Sequence, residues 1–308
     1  MDDRRARIVV GFDGSPHSLG ALNWALTEAR LRDAVVVLCH VTTGRPSGHL
    51  RQDRVRQAAN ERMLATGVRY ATRRAPTVDV VSALMAGRAA DRLVEAASDA
   101  DLLVVGARGD GGAAGPRLGS VSARVARHGH GTVIIAPGLG DRVSGGQDRR
   151  IVVGVDGATG SGAALDFAFA EAARRQARVC AVHVFDASTM QLVANLSQAG
   201  LVRLHVKAAD TLRAVVAVHA EHYPDVEVTC EVLSGAPASR LTSAAANSEL
   251  LVLGSRGHSG IVTRMLGSTT GTVLATASCP VALVRADQRP HPSGSTRRER
   301  PSLVDGRS

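Results

Sequence analysis

The chain has 308 residues, 44% of them hydrophobic and 21% charged, which suits two domains of ordinary size with buried cores and excludes a globally disordered chain. Its formal charge of +9 raises nucleic acid as a ligand, but only 2% of residues are aromatic, so there is little on which to stack bases. The arginines are scattered along helices among Asp and Glu or gathered near the end at Arg297, Arg298, Arg300 and Arg307, so a solvated surface is expected and nucleic acid is not an expected partner.

The start, Met1-Asp2-Asp3-Arg4-Arg5, is polar and the apolar run after it is short, so no signal peptide is expected, and no run reaches the roughly 18 apolar residues of a membrane span. A cytoplasmic protein without a membrane partner is expected. Val/Ile/Leu runs then predict strands at 8–12, 35–40, 78–83, 102–105 and 132–136. They lack strict alternation, as strands buried on both faces do. Between the first two, Ser15 and Pro16 make a helix start, Ser15 as N-cap and Pro16 at the first helical position, followed by Leu19, Leu22 and Leu26 on one face. Trp24 reads as core. A long helix is predicted over 50–73.

After the fourth predicted strand the sequence runs Gly106-Ala107-Arg108-Gly109, then nine residues, then Gly119-Ser120. Residues 139–148, rich in Gly, Ser and Asp, read as a linker.

Beyond the linker the pattern repeats. Arg7-Ile-Val-Val-Gly-Phe-Asp13-Gly14 returns 143 residues later as Arg150-Ile-Val-Val-Gly-Val-Asp156-Gly157. The glycine element returns 148 residues on as Gly254-Ser255-Arg256-Gly257, nine residues, and Gly267-Ser268. So long a period is a duplicated domain, since solenoid units run about 20–50 residues. Strands are predicted in the second copy at 151–155, 178–184, 227–233, 250–253 and 281–284, with a long helix over 191–222 stopped by Tyr223-Pro224. Residues 287–308 are too poor in apolar groups to be expected to order. Each copy is thus an α/β domain with a five-stranded parallel sheet and helices on both faces.

The glycine spacing carries the functional expectation, because it occurs twice, each time between a strand and a helix. Glycine lets successive backbone N–H groups face an anion, and a helix start adds free amides worth about 0.3–1 kcal/mol per exposed charge. Ser120 and Ser268 are available there either as N-caps or as hydroxyl donors. The plain alternative is a surface loop with a capped helix. Asp13 and Asp156 close the first strands, and Val41 and Val184 close the second, so a doubly wound sheet puts them on the same rim as the glycine element. Either aspartate can accept a hydrogen bond from a base or ribose, or serve as a turn residue.

These motifs, with the closing Cys279-Pro280-Val-Ala-Leu-Val, resemble the universal stress protein family in its ATP-binding branch, across residues 5–138 and 149–286. The resemblance implies a Rossmann-like fold of the adenine nucleotide alpha hydrolase type and an ATP-binding stress-response protein, with or without Mg2+, that dimerises through the fifth strand. The two copies would then pair as a pseudo-dimer within the chain, and the chain as a homodimer. It also implies which residues contact the nucleotide. In the first copy these are Gly11, Asp13, Val41, Gly106, Ala107, Arg108, Gly109, Gly119, Ser120 and Val121. In the second they are Gly154, Asp156, Val184, Gly254, Ser255, Arg256, Gly257, Gly267, Ser268 and Thr269.

The copies also differ. The second has Gly157-Ala158-Thr159 for Gly14-Ser15-Pro16, so Thr159 or Ser161 should cap its helix, and the first has Asp110 inside its glycine element, where a carboxylate would repel phosphate. Unequal affinities are expected. The one lysine, Lys207, is followed by Ala208, which excludes a P-loop, and no G-x-G-x-x-G follows a first strand. The four cysteines and the matching His40 and His183 lack metal spacing and read as buried thiols and core or rim histidines, and His128 with His130 is a weak metal signal. A regulatory nucleotide-binding protein is expected over its alternatives, a slow ATP-hydrolysing or adenylate-forming enzyme and a scaffold with vestigial sites.

Overall fold

The computed structural model describes residues 5–42, 49–109, 118–139, 149–156, 160–185, 198–254 and 267–285. The first copy runs β1 (Arg7–Gly11), α1 (Pro16–Arg32), β2 (Val35–Thr42), α2 (Leu50–Arg74), β3 (Val80–Ala86), α3 (Ala89–Ala96), β4 (Leu102–Gly106), α4 (Ser120–His128) and β5 (Thr132–Ala136). The second runs β6 (Arg150–Gly154), α5 (Gly160–Arg175), β7 (Arg178–Phe185), α6 (Gln198–Ala220), β8 (Val228–Ser234), α7 (Pro237–Ala244), β9 (Leu250–Gly254), α8 (Ser268–Thr276) and β10 (Val281–Val284).

The strands form one ten-stranded sheet in the order β3-β2-β1-β4-β5-β10-β9-β6-β7-β8. Each half is parallel, and the halves meet where β5 and β10 pair antiparallel, with Ile135 opposite Val281 and Thr132 opposite Val284. The expected pseudo-dimer is therefore built as a strand pair inside the chain. Alternate residues of the buried strands feed two cores, one on each face. Ile8, Val10, Leu38, Ile134, Val153 and Ala282 face α1 and α5 on one side, packing against Leu22, Leu26, Leu165 and Phe169. Val9, Val105, Ile135, Leu251 and Leu283 lie on the other, with Leu93 and Val125. Both layers cross the seam, so neither half keeps a core to itself.

Local signals account for most element ends. Ser15 caps α1, its Oγ accepting the N–H of Ser18 at 3.2 Å, with Pro16 in the first turn. Helices α1 and α5 are each followed by a left-handed residue, Asp33 (φ 50°) and Gln176 (φ 51°). Strand β3 starts at Val80 and not at Val78, because Val78 is tied into a turn by its N–H to the carbonyl of Ala75. Helix α6 ends at Ala220, two residues before the expected stop, and the N–H groups of His222 and Tyr223 bond back to His219 and Ala220 as turns. The expected helical start at 191, most of the linker and the tail from residue 287 lie outside the described residues.

The main departure from expectation concerns charge. Glu28 and Arg32 on α1 and their counterparts 143 residues later on α5, Glu171 and Arg175, form a buried four-charge cluster across the seam. Both carboxylates are 0% exposed. Each glutamate binds the arginine one turn along its own helix and the arginine of the other copy: Glu28 pairs with Arg32 and Arg175, and Glu171 with Arg175 (3.1 Å) and Arg32. Arg174 and Glu249 complete the surround at 3.1 and 3.4 Å. Aromatic rings shield the guanidinium groups in the same crossed sense, Arg32 lying 5.8 Å from the Phe167 centroid and Arg175 5.5 Å from that of Trp24. Burial, then the neighbouring Glu171, pushes the Glu28 carboxyl up against the pull of Arg175 and Arg32. Burial acts against the Glu171 charge too, but Arg32 and Arg175 hold it below its ordinary value. Arg285 adds a further cross-seam tie, donating to the carbonyls of Ala126 and Gly129 at the end of α4.

Such a cluster specifies which surfaces meet more than it adds net stability, and removing one member strands the others. In equilibrium urea unfolding, Arg175→Ala is expected to lose about 3–5 kcal/mol. The double variant Glu28→Ala/Arg175→Ala should lose less than the two single losses combined, whereas additive losses would show that the charges do not interact.

Candidate functional site

Strand β1 lies between β2 and β4, and the chain winds outward from it in opposite directions, to β2 and β3 on one side and to β4 and β5 on the other. The carboxyl ends of β1 and β4 thus flank the switch point where an open α/β sheet leaves a crevice. The same holds for β6 between β7 and β9.

In the first copy the expected residues converge there. Gly11 ends β1 and Gly106 ends β4, while Val41 is the penultimate residue of β2. Asp13 follows β1 and is held by the N–H of Ser15, which donates to its Oδ1 at 3.0 Å. Its other oxygen faces the glycine element: a Cβ on Gly109 would sit 2.7 Å from Asp13 Oδ2. Gly109 therefore admits the carboxylate against its backbone, where a side chain would evict it. Arg108, the residue before, donates its Nε–H to Nε2 of His17 in the first turn of α1 at 3.1 Å.

Not every amide of the element is available to a ligand. Ala107 N–H donates to Ala136 O and Gly119 N–H to Ala107 O, both at 2.8 Å. The first bond extends the β4–β5 pairing, and the second folds the start of α4 back onto the end of β4. The N-cap of α4 is Gly119 itself, and that of α8 is Gly267, neither with a side-chain cap. Ser120 and Ser268 are therefore the first helical residues, which corrects the N-cap option for both serines. The amides of Ser120 and Val121 belong to the first turn, where helix geometry offers no carbonyl partner. The expected reading of Gly106 as a ligand-facing glycine also needs a second role. A Cβ there would lie 2.6 Å from the carbonyl carbon of His17, so Gly106 is what lets α1 approach β4.

One residue escaped the sequence reading. Ser122, buried on α4, donates its Oγ–H to Gly106 O at 2.6 Å and clamps the helix start to the strand end. The available signal was a second hydroxyl two residues after Ser120, matched by Thr270 in the other copy.

In the second copy Gly154 ends β6, Val184 lies on β7 and Gly254 ends β9, while Ser268 and Thr269 open α8. Ser255, Arg256 and Gly257 lie outside the described residues, as do Asp110 and Gly157-Ala158-Thr159. Ser161 is not a cap but a helical residue whose Oγ–H donates to Asp156 Oδ1 at 2.7 Å. His40 and His183 are rim residues tied by Nδ1 to the carbonyls of Phe12 and Val155, each at 2.8 Å, just before the two aspartates. The four cysteines are free thiols; three are buried and Cys230 is half-buried. Burial pushes the Cys39 thiol up to about 11, which keeps it protonated and unreactive at neutral pH.

The model of the universal stress protein family matches residues 5–137 and 148–285. The chain belongs to the universal stress protein family. Among relatives of this tandem member, a universal stress protein of Mycobacterium tuberculosis is 32% identical over 289 residues, covering 90% of this chain and 96% of the relative. A universal stress protein of Mycobacterium bovis is 31% identical over 290 residues, covering 90% and 96%. Among solved structures, a universal stress protein from Archaeoglobus fulgidus superposes with a TM-score of 0.65 at 19% identity, covering 92% of this chain and 97% of its own, a likeness of fold.

The Ser122 clamp and the Gly106 contact make separable predictions. Ser122→Ala leaves a buried carbonyl unpaired and is expected to lower stability by about 1–3 kcal/mol in urea unfolding. Gly106→Val should lower it by at least a similar 1–3 kcal/mol by forcing α1 off β4. A melting curve unchanged in either variant would contradict the contact assigned to it.

Proposed function

We propose that this chain is an ATP-binding regulatory protein with one adenine-nucleotide site in each domain, at the two switch points. The observation that carries the reading is the convergence of three unlike parts, the Asp13 carboxylate, the Gly109 backbone and the start of α4 reached through Gly119, on one crevice. In this reading Asp13 and Asp156 accept hydrogen bonds from the adenine amino group or the ribose. The backbones at Val41 and Val184 pair with the base edge. First-turn amides and hydroxyls at Ser120 and Val121, and at Ser268 and Thr269, receive the terminal phosphates, and Arg108 and Arg256 supply positive charge.

Among the described residues no group of three His, Cys, Asp or Glu is placed to hold a metal, so a Mg2+ ion would arrive on the phosphates. Binding between about −4 and −8 kcal/mol, millimolar to micromolar, suffices for a sensor of cellular ATP. No helix among the described residues is long and apolar enough to cross a membrane, and a cytoplasmic location suits the reading. A homodimer would need a surface other than the fifth strands, because β5 is already paired with β4 and β10, and β10 with β9.

Titration calorimetry with ATP tests the proposal on the full chain. Two equivalents are expected to bind, Asp13→Ala and Asp156→Ala each removing one and the double variant both. No heat of binding in the intact chain would leave a scaffold with vestigial sites. Steady phosphate release abolished by altering Gly119 or Gly267 would instead make the protein an ATPase.

A further inference from the structure

The ten-stranded sheet ends in two unlike edges, β3 and β8. In β3 the carbonyl of Asp79 accepts the Val36 N–H and the Gly87 N–H donates to Thr42 O, so the odd-numbered residues turn their backbone groups to β2. Val80, Ser82, Leu84 and Ala86 turn theirs outward. In β8 the carbonyl of Glu227 accepts the Val179 N–H and the Gly235 N–H donates to Phe185 O, which turns Val228, Cys230, Val232 and Ser234 outward in the same way. Side chains close this second edge. His205 of α6 donates Nε2–H to Val232 O at 3.1 Å, Arg240 of α7 donates Nε–H to Ser234 O at 2.8 Å, and Glu231 puts an exposed charge mid-strand. Charges and covering groups of this kind keep a sheet edge from pairing. The first edge has none of them. Its seven residues, Val80-Val-Ser-Ala-Leu-Met-Ala86, include no charge and no proline, with Val81 51% and Leu84 36% exposed. Arg92, which matches Arg240 at the 148-residue offset, turns instead to Glu95 at 2.6 Å and leaves Ala86 O uncovered, its own Nε buried without an acceptor. Glu95 is matched by Ser243, which has no charge to draw Arg240 away. We propose that β3 is a homodimerisation edge, pairing antiparallel with β3 of a second copy about a two-fold axis at Ala83.

The strand is complementary to itself. In the symmetric register Val80 lies opposite the second copy's Ala86 and Ser82 opposite its Leu84, so every outward N–H and C=O of the strand meets a partner. Each of these pairs sets a larger side chain against a smaller one, on the face where Val80 packs beside α2. On the other face, where Ala83 and Met85 pack beside α3, Val81 meets Met85, and Ala83 meets its own copy, the closest approach on the axis, where a methyl group fits. The ends of the strand differ in sign. Asp79, beside Arg5 with 64% of its side chain exposed, precedes β3, and the exposed Arg88 follows it, so antiparallel pairing brings an acidic end to a basic end twice. The chain already extends its sheet in this manner once. At β5 and β10 two parallel sheets join through an antiparallel strand pair, and the helices beside them meet across the seam through Arg32–Glu171 and Arg175–Glu28. The inference does not depend on the nucleotide reading, because β3 lies at the outer limit of the sheet, separated by β2 from the switch point at β1.

Sedimentation equilibrium of the full chain, with and without substitutions in β3, tests the pairing. The intact chain is expected to dimerise. Ser82→Pro removes an outward N–H that β2 does not use, in both copies at once, and should weaken the dimer at least about tenfold while circular dichroism stays unchanged. Cross-linking reads the register without relying on the proline variant. On the axis the two Ala83 residues form a non-hydrogen-bonded pair with Cα atoms about 4.5 Å apart, within disulfide reach. Ala83→Cys oxidised with diamide should therefore run as a covalent dimer. Leu84→Cys, about 8 Å from its mate in this register, and the parent chain with its own cysteines should not. A chain that stays monomeric at every concentration overturns the proposal and leaves the edge to an extended segment of another protein. A dimer that a folded Ser82→Pro does not weaken also overturns it, as does a dimer in which Ala83→Cys fails to cross-link or Leu84→Cys cross-links as readily. If Ser82→Pro does not fold, the two cysteine variants decide alone.

Discussion

Strands β5 and β10 run antiparallel in a sheet whose other pairings are all parallel, and the placement of everything else follows from that one contact. It fuses two five-stranded sheets into one and lets the apolar layer on each face continue across the seam. It also brings α1 and α5 side by side, so that Glu28, Arg32, Glu171 and Arg175 become buried together. Four charges in an apolar seam are expensive to desolvate, and they are tolerated because each one finds two partners. A shifted register would leave at least one of them alone. The cluster thus acts as a check on how the halves dock, complementary to the strand pairing, which sets only the edge.

Helix α1 links that seam to the proposed site. Its last turns hold Glu28 and Arg32, and its first turn holds Ser15, Pro16 and His17 at the switch point. At 17 residues it is about 25 Å long. The orientation of the helix at the crevice is therefore fixed by a polar cluster at its far end as well as by the core along its side. Close packing at Gly106 and the Ser122 clamp fix the other wall of the crevice, at the end of β4. These two contacts hold the end of β4 and the start of α4 together, and the amides of a helix start serve a phosphate only if they already point at it.

Much of this was legible in the sequence, and the reasons are local. Runs such as Ile8-Val9-Val10 and Leu102-Leu103-Val104, short and apolar without alternation, suit inner strands of a parallel sheet buried on both faces, and they form them. Ser15-Pro16 specifies a helix start by itself. The duplicated glycine spacing located both helix starts on the rim. The seam cluster was not legible, because a Glu and an Arg four residues apart on a helix look the same whether they face water or a second copy of themselves. Only the strand pairing at the far edge decides which. Likewise, the spacing of Gly106, Gly109 and Gly119 showed that backbone comes close to something without showing to what: to the α1 backbone at Gly106, to a carboxylate at Gly109, and to Ala107 and Arg108 at Gly119. Ser122 looked like any helical serine until Gly106 O was placed beside it.

The central claim, that each of the two switch points is a polyphosphate site, is tested most directly by a crystal structure of the full chain grown with a non-hydrolysable ATP analogue. The account predicts phosphate oxygens about 3 Å from the first-turn amides of α4 and α8, with the base against Asp13 and Asp156. Nucleotide bound at the β5–β10 seam or on the opposite rim of the sheet, with both helix starts turned away from it, would contradict the claim.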